Sequence, residues 1–359
     1  MPRFAFAFSA LLAASLFTTA CTTSDDLPRS GEDLQTVLRE TATRHHVCDV
    51  AVAVIHNRKL DFVDAASGCP PRSTADSNAV FKAASLGKPV FAYVVLQLVA
   101  EGRISLDAPI VRYLPRGYMH LFKPFSTSAE ADQVVDSRLG EVTVKMALSH
   151  TTGLPNWADG PLRFDFDPGV RWQYSGEAYL LLQRAVETVT GEGLDRLMDE
   201  RVFRPLGMIH SSYVWEDRFD PLVVPGYAAN GTPKAARRFK LPIVATTLYT
   251  TAGDYGRFLA AWLNDDRAIA MSTQSPVSVD SHLGLSWGLG WGIEGDGINT
   301  VVWHWGDVPG YRSLVVASPT TGTGVVVFTN SDDGLHVGRV VIQSILPGRH
   351  RLFEFRMLQ

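Results

Sequence analysis

From Val90 to Val99 the sequence reads VFAYVVLQLV, apolar at nearly every position, so the helix it predicts is buried all round rather than along one stripe. A helix enclosed in that way is a rigid platform. The stretch Ala83-Ala84-Ser85-Leu86-Gly87-Lys88-Pro89 leads into it. Proline is tolerated only near a helix start, so Pro89 fixes the beginning close to Ser85. Ser85 is then expected at the N-cap or in the first turn, where unpaired N–H groups make a local positive potential suited to a developing oxyanion. Lys88, three residues on, shares its helix face and can bring an amine to the serine hydroxyl.

Ser-x-x-Lys alone is weak. With 25 serines and 7 lysines among 359 residues, about half a match is expected by chance. The plainer reading is a capped core helix with a surface lysine, and context has to choose. The chain is 46% hydrophobic and 19% charged with a net charge of −4, ordinary globular material without the basic character that nucleic-acid binding requires. None of the ten histidines forms His-Glu-x-x-His and there is no Cys-x-x-Cys, so no metal is implied. The glycines at 288, 290 and 292 miss the Gly-x-Gly-x-x-Gly spacing. No dinucleotide or other cofactor is expected.

Residues 1–20 carry Arg3, then FAFAFSALLAASLF, then small residues before Cys21, the pattern of an export signal too short to span a bilayer. Cys21 resembles the lipidated cysteine of bacterial lipoproteins, although Thr18 stands where that pattern prefers leucine. The expectation is an exported protein of the periplasm or cell envelope, touching the membrane only through a lipid at Cys21, with plain secretion as the alternative. Cys48 and Cys69 remain. CDVAVAVIHN and LDFVDAASGC both alternate toward strands around an Arg58-Lys59 turn, and in that register the two cysteines face each other as a candidate disulfide. The turn lacks an Asn-Gly signal, so two small buried residues that never bond is the other reading.

Further along, Leu34, Val37, Leu38 and Thr41 keep helical spacing within 31–45. Beyond Glu101-Gly102 the texture is helical with Pro- and Gly-rich loops, firmest over 142–150 and 176–190. Residues 251–264 read as a helix, and 300–305, 311–317 and 324–330 as a three-strand meander closed by a helix over 335–346. The expected division is a signal (1–20), a linker (21–31), a discontinuous α/β domain (32–105 and 246–347), a helical domain (106–245) and a tail (348–359). The fold class is α/β of the α+β type: five antiparallel strands flanked by helices, with an inserted all-helical domain.

Three patterns occur in order: Ser85-x-x-Lys88, Tyr174-Ser175-Gly176 and His304-Trp305-Gly306. A serine nucleophile needs a proton acceptor, a group that holds the acceptor in the right state, and N–H donors for the oxyanion. Lys88 and Tyr174 can be that acceptor pair, either as a desolvated neutral amine or as phenolate beside ammonium.

With these motifs the chain resembles the serine β-lactamase and penicillin-binding-protein superfamily, on its class C β-lactamase and esterase branch. TVKMALSHTTGLP at 143–155, Phe203-Arg204-Pro205-Leu206-Gly207-Met208, the Trp287 to Gly292 passage and Pro309-Gly310-Tyr311 fit the same branch. The resemblance implies catalysis by Ser85, Lys88 and Tyr174, and an oxyanion hole made by the backbone N–H groups of Ser85 and Asp307. It points to His304, Gly306, Gly176, Trp157 and Trp291 as substrate-binding positions, although His304 can also be a satisfied strand histidine and the tryptophans core. Two departures matter. The second motif often ends in Asn where this chain has Gly176, and the third often begins with Lys where it has His304. An amide and an ammonium anchor are therefore missing, which favours a carboxylesterase-like serine hydrolase acting through an acyl-enzyme on ester or amide substrates. The alternatives are β-lactamase or D-amino acid peptidase activity, or a non-catalytic protein that binds cell-wall peptide. Gly284-Leu285-Ser286-Trp287-Gly288 matches the nucleophile elbow of α/β-hydrolases, but no strand-to-helix context surrounds it.

Overall fold

The computed structural model describes Met1 and residues 31–69, 76–122, 124, 130–295 and 299–359. The export signal, Cys21 and the linker before Gly31 lie outside the described residues. In chain order the elements are helix α1 (Gly31–Arg44), strands β1 (Val50–His56), β2 (Lys59–Ala66) and β3 (Phe81–Ala84), and helix α2 (Gly87–Ala100). Next come strands β4 (Met119–Leu121) and β5 (Ala131–Gln133) and helices α3 (Val144–Leu148), α4 (Gly176–Thr190) and α5 (Leu194–Met198). Strand β6 (Leu248–Thr250), helices α6 (Ala252–Leu263) and α7 (Asp266–Thr273) and strands β7 (Val277–Asp280), β8 (Leu285–Trp287) and β9 (Gly292–Glu294) follow. The chain closes with β10 (Val301–Val308), β11 (Tyr311–Ser318), β12 (Thr323–Thr329) and helix α8 (Gly334–Ile345).

One antiparallel sheet of eight strands, ordered β2-β1-β12-β11-β10-β9-β8-β7, organises the molecule. The five expected strands form one side of it, and β7 to β9 extend it beyond the five-stranded expectation. Alternate residues of each central strand enter different cores, as the period of two requires. Ala51, Ala53 and Ile55 of β1 pack with Tyr255, Phe258 and Leu259 of α6. Val50, Val52 and Val54 join Leu34 and Leu38 of α1 and Val337 and Val341 of α8 on the opposite face.

Helix α2 is enclosed as its composition demands: Val90, Phe91, Ala92, Val94, Val95, Leu96 and Leu98 are all buried. The segment between α2 and β6 carries helices and short 3₁₀ turns, but also the β4–β5 hairpin, so this insertion is not all-helical. The final residues are more than a tail. Leu352, Phe353, Phe355 and Leu358 are buried in the second core.

The first hairpin differs from the expected register. Its turn is Asn57-Arg58, both at positive φ (49° and 62°), and a shift between Val54 and Ile55 changes the pairing within the strands. The bulge moves the turn by one residue. Cys48 and Cys69, beyond the strand ends, still meet in a disulfide with Cα atoms 4.7 Å apart.

Candidate active site

Strand β3 pairs with β6 as a separate ribbon laid against the large sheet. Close packing at Gly306 of β10 sets the distance between ribbon and sheet. A Cβ there would lie 2.2 Å from both the Ala83 carbonyl oxygen and Ser313 Oγ, and Ser313 Oγ donates to that carbonyl at 3.1 Å. At Ala84 the backbone then turns through φ 51°, a left-handed conformation that costs a non-glycine residue about 1 kcal/mol or more. Ser85 follows immediately. It lies one residue before the Leu86 N-cap of α2, not at the cap or in the first turn, and its hydroxyl serves the cavity rather than the helix end.

Lys88 sits in the first turn of α2 and is wholly buried. Its Nζ is 2.9 Å from Ser85 Oγ and donates to the Ala245 carbonyl at 2.9 Å, while Ser85 Oγ reaches the same carbonyl at 3.2 Å. Burial pushes the Lys88 ammonium well below the ordinary lysine range, because no carboxylate among the described residues offsets the lost hydration. Tyr174 presents its ring 4.8 Å from Lys88 Nζ. Its phenol is buried near Ser85, whose hydroxyl favours ionisation slightly, but burial dominates and pushes its pKa up. The Tyr174 hydroxyl makes no hydrogen bond of ordinary geometry among the described residues. Of the two acceptor forms weighed on the sequence, these directions favour a neutral amine beside a neutral phenol.

An aromatic box holds Tyr174. Its ring lies 4.9 Å from Trp305, 4.4 Å from His150 and 5.9 Å from Trp287. His150 went unassigned on the sequence, where it appears only as part of a family signature. Its Nδ1 accepts the Ser175 N–H at 3.0 Å, which places the proton on Nε2 and fixes the backbone just after Tyr174. Burial first, then its closeness to Lys88 and His304, with which it cannot share a positive charge, pushes its pKa well down and keeps it neutral.

His304 does not line the cavity. It is fully buried and its Nδ1–H donates to the Trp305 carbonyl at 2.9 Å. Burial, with the Lys88 charge second, lowers its pKa to about 3. It is a neutral wall behind Tyr174 and Lys88 rather than a substrate contact. Trp291 is also withdrawn, buried against Trp262 at 4.9 Å, as is Gly176 at the start of α4. Gly306 serves the close approach described above. Trp157, by contrast, lines the cavity, as do Ser85, Tyr174, Asp307 and Trp305.

This cavity measures about 670 Å³ and is completed by Lys82, Asn156, Ala235, Arg237, Phe239, Thr246, Val308, Pro309 and Met357. Asn156 is the residue the sequence motifs could not reveal. Its Oδ1 and its backbone oxygen each accept from the Gly176 N–H at 3.0 Å, so a carboxamide reaches the site from the loop before α4. Ser286 of the elbow-like pattern lies within β8, outside this cavity and without an elbow. Among the described residues one group has metal-ligand geometry, His45, Asp333 and His336. It sits apart from the cavity.

Fold and cavity together place the chain among serine hydrolases of β-lactamase-like architecture. A family model described as Beta-lactamase matches residues 34–346, and the chain belongs to that family. Esterase EstB of Burkholderia gladioli is 31% identical over 191 residues, covering 45% of this chain and 44% of the esterase, less than half its length. Penicillin-binding protein 4 of Amycolatopsis lactamdurans is 27% identical over 317 residues, 75% of this chain and 74% of that protein. Among solved structures, a β-lactamase/D-alanine carboxypeptidase from Pseudomonas syringae superposes with a TM-score of 0.72 at 18% identity, covering 88% of this chain and 98% of that one. At that identity the likeness is one of fold.

Proposed function

We propose that the protein is a carboxylesterase-like hydrolase working through an acyl-enzyme on Ser85. The observation that carries this reading is the Lys88 amine, wholly buried and 2.9 Å from Ser85 Oγ. As the neutral amine it donates to Ala245 and accepts the Ser85 proton while Oγ forms a bond to the substrate carbonyl carbon. The Ser85 and Asp307 N–H groups hold the oxyanion. When the ester C–O bond breaks, the proton passes through Tyr174 or Lys88 to the leaving alkoxide. Water then attacks the acyl-enzyme by the same route in reverse, giving the carboxylic acid and free Ser85.

Ester preference rests on the cavity wall. Position 304 offers a buried neutral imidazole in place of an ammonium, and Trp157, Trp305, Phe239, Val308 and Pro309 make much of the lining apolar. A second reading, amide hydrolysis, draws support from the Asn156 carboxamide. The Cys48–Cys69 bond supports an oxidising compartment, and with the residue 1–20 pattern we place the protein in the cell envelope, anchored through Cys21. The test is a panel of short p-nitrophenyl esters, nitrocefin and D-amino acid amides. Esters are expected to show the highest kcat/KM, lost in Ser85→Ala; efficient nitrocefin turnover with negligible ester cleavage overturns the reading.

A further inference from the structure

After α8 the chain makes two 3₁₀ turns, Arg351–Glu354 and Arg356–Leu358. They lie beyond residues 34–346, which the family model matches, so the family's pattern says nothing of them. The Glu294 carboxylate, at the end of β9, fastens the first turn by accepting the Arg351 N–H at 2.6 Å and the Leu352 N–H at 3.2 Å. Leu352, Phe353, Phe355 and Leu358 are buried in the second core. Phe355 stands edge-on to Trp172, Trp303 and Trp305, with ring centroids 6.0, 5.7 and 6.3 Å away. Met357 is the exception. It is 37% exposed and lines the cavity that holds Ser85, as Trp305 does. Two residues of chain span at most about 7 Å, so Phe355 anchors what Met357 presents, and the Leu358 N–H donating to the Phe355 carbonyl at 2.8 Å closes the turn around it.

We propose that this segment is a specificity wall of the Ser85 cavity, in which Met357 sets how long an apolar arm the substrate can carry. This rests on the hydrolase reading above and narrows its substrates to esters with an aliphatic or aryl arm of several carbons. A volume of about 670 Å³ is that of a pocket for a drug-sized molecule, and an acetyl ester would leave most of it to water. The lining that Trp157, Trp305, Val308, Pro309 and Met357 contribute is apolar, so an arm laid against it gains about 4-fold in affinity for each methylene buried. Methionine suits such a wall, because an unbranched side chain with a polarisable thioether closes on arms of different shape. The backbone behind it is held by buried neighbours and by Glu294. The side chain at 357 therefore fixes where the arm must stop.

Two ester series test the wall in the full-length protein: p-nitrophenyl esters from acetate to decanoate, and butyrate esters of alcohols from methanol to octanol, so that both halves of the substrate are sampled. In one series kcat/KM is expected to rise about 4-fold per methylene up to a limiting length. Met357→Ala should move that limit to longer chains and Met357→Trp to shorter ones, each changing kcat/KM at the limit about 10-fold. Met357→Ala carries the decision, because an added indole can crowd any cavity. A limit unmoved in that variant, or an equal loss for every ester, overturns the wall while leaving the hydrolase intact. If no ester turns over, the hydrolase reading fails, and calorimetric titration with alkanamides from butanamide to decanamide decides the wall. A best-bound length that increases in Met357→Ala supports it, and one common profile overturns it.

Discussion

Asn156 grips Gly176 twice, its backbone oxygen and its Oδ1 each 3.0 Å from one N–H. Its Nδ2 makes no hydrogen bond among the described residues and is the donor left for a substrate carbonyl. Asn156→Ala is expected to lower kcat/KM about 10-fold for substrates with an amide in the acyl group, and less for simple esters. Gly176→Asn, which rebuilds the family's usual motif, should fail to restore amide chemistry. A Cβ at 176 would lie 2.7 Å from the Asn156 carbonyl oxygen and 3.1 Å from the Trp157 ring, so a loss of about 1–3 kcal/mol in urea unfolding is expected. Normal stability with gained nitrocefin turnover would contradict this account.

Lys88→Met and Tyr174→Phe should each slow acylation about 10²- to 10⁴-fold, read as the burst rate with a p-nitrophenyl ester. Their stability signatures differ. Lys88 has a lowered pKa in the folded protein, so between that value and the ordinary value near 10.4 the unfolded chain binds more protons than the folded one. Stability therefore rises with pH across that window, by up to about 1.4 kcal/mol per unit. Lys88→Met should be the more stable protein at neutral pH, with a flatter dependence of its urea midpoint between pH 6 and 9. Parallel curves for the two proteins would mean that Lys88 is charged in the fold.

Gly306→Ala tests how the nucleophile strand is seated. The added methyl meets a backbone carbonyl and Ser313 Oγ at 2.2 Å, and relief requires β3 and β10 to part. About 1–3 kcal/mol of stability should be lost, with hydrolase activity falling further than unfolding explains, because the Ser85 and Asp307 N–H groups separate. Activity proportional to the folded fraction would reduce the role of Gly306 to packing.

Reducing the Cys48–Cys69 bond, which closes 21 residues, should cost about 2–4 kcal/mol in unfolding experiments. Mass spectrometry of protein produced in an oxidising compartment should show these two cysteines resistant to alkylation before reduction. Two alkylated thiols in that material would refute the bond.

The sequence carried the long, regular parts of this design. A uniformly apolar run made α2 legible, and short apolar runs bounded by turn signals exposed β1 and β10 to β12, whose side chains divide between two cores. The strands β7 to β9 were not legible, because two are three residues long and interrupted by glycines. Gly292 is glycine because the Trp303 ring occupies the place of a Cβ, 2.5 Å away, a tertiary reason with no local signal. Ser85, Lys88 and Tyr174 could be named from spacing and family pattern. Asn156, Lys82 and Arg237 could not, since each reaches the cavity from outside the three motifs. His304 misled because a motif position does not say which way a strand residue points; here the pleat turns it into the wall and turns Trp305 toward the cavity.

The pairing of β1 with β12, Val50 opposite Thr329, sets an order of events during synthesis. The first sheet strand to leave the ribosome binds the last one to be made, and until Thr323 emerges one edge of β1 has no partner. Loop closure over so long a stretch is slow, and nascent chains expose a bare apolar edge throughout. A product that stops short of β12 therefore retains Ser85, Lys88 and Tyr174 in its sequence yet cannot assemble them, so translation must finish before hydrolysis can begin.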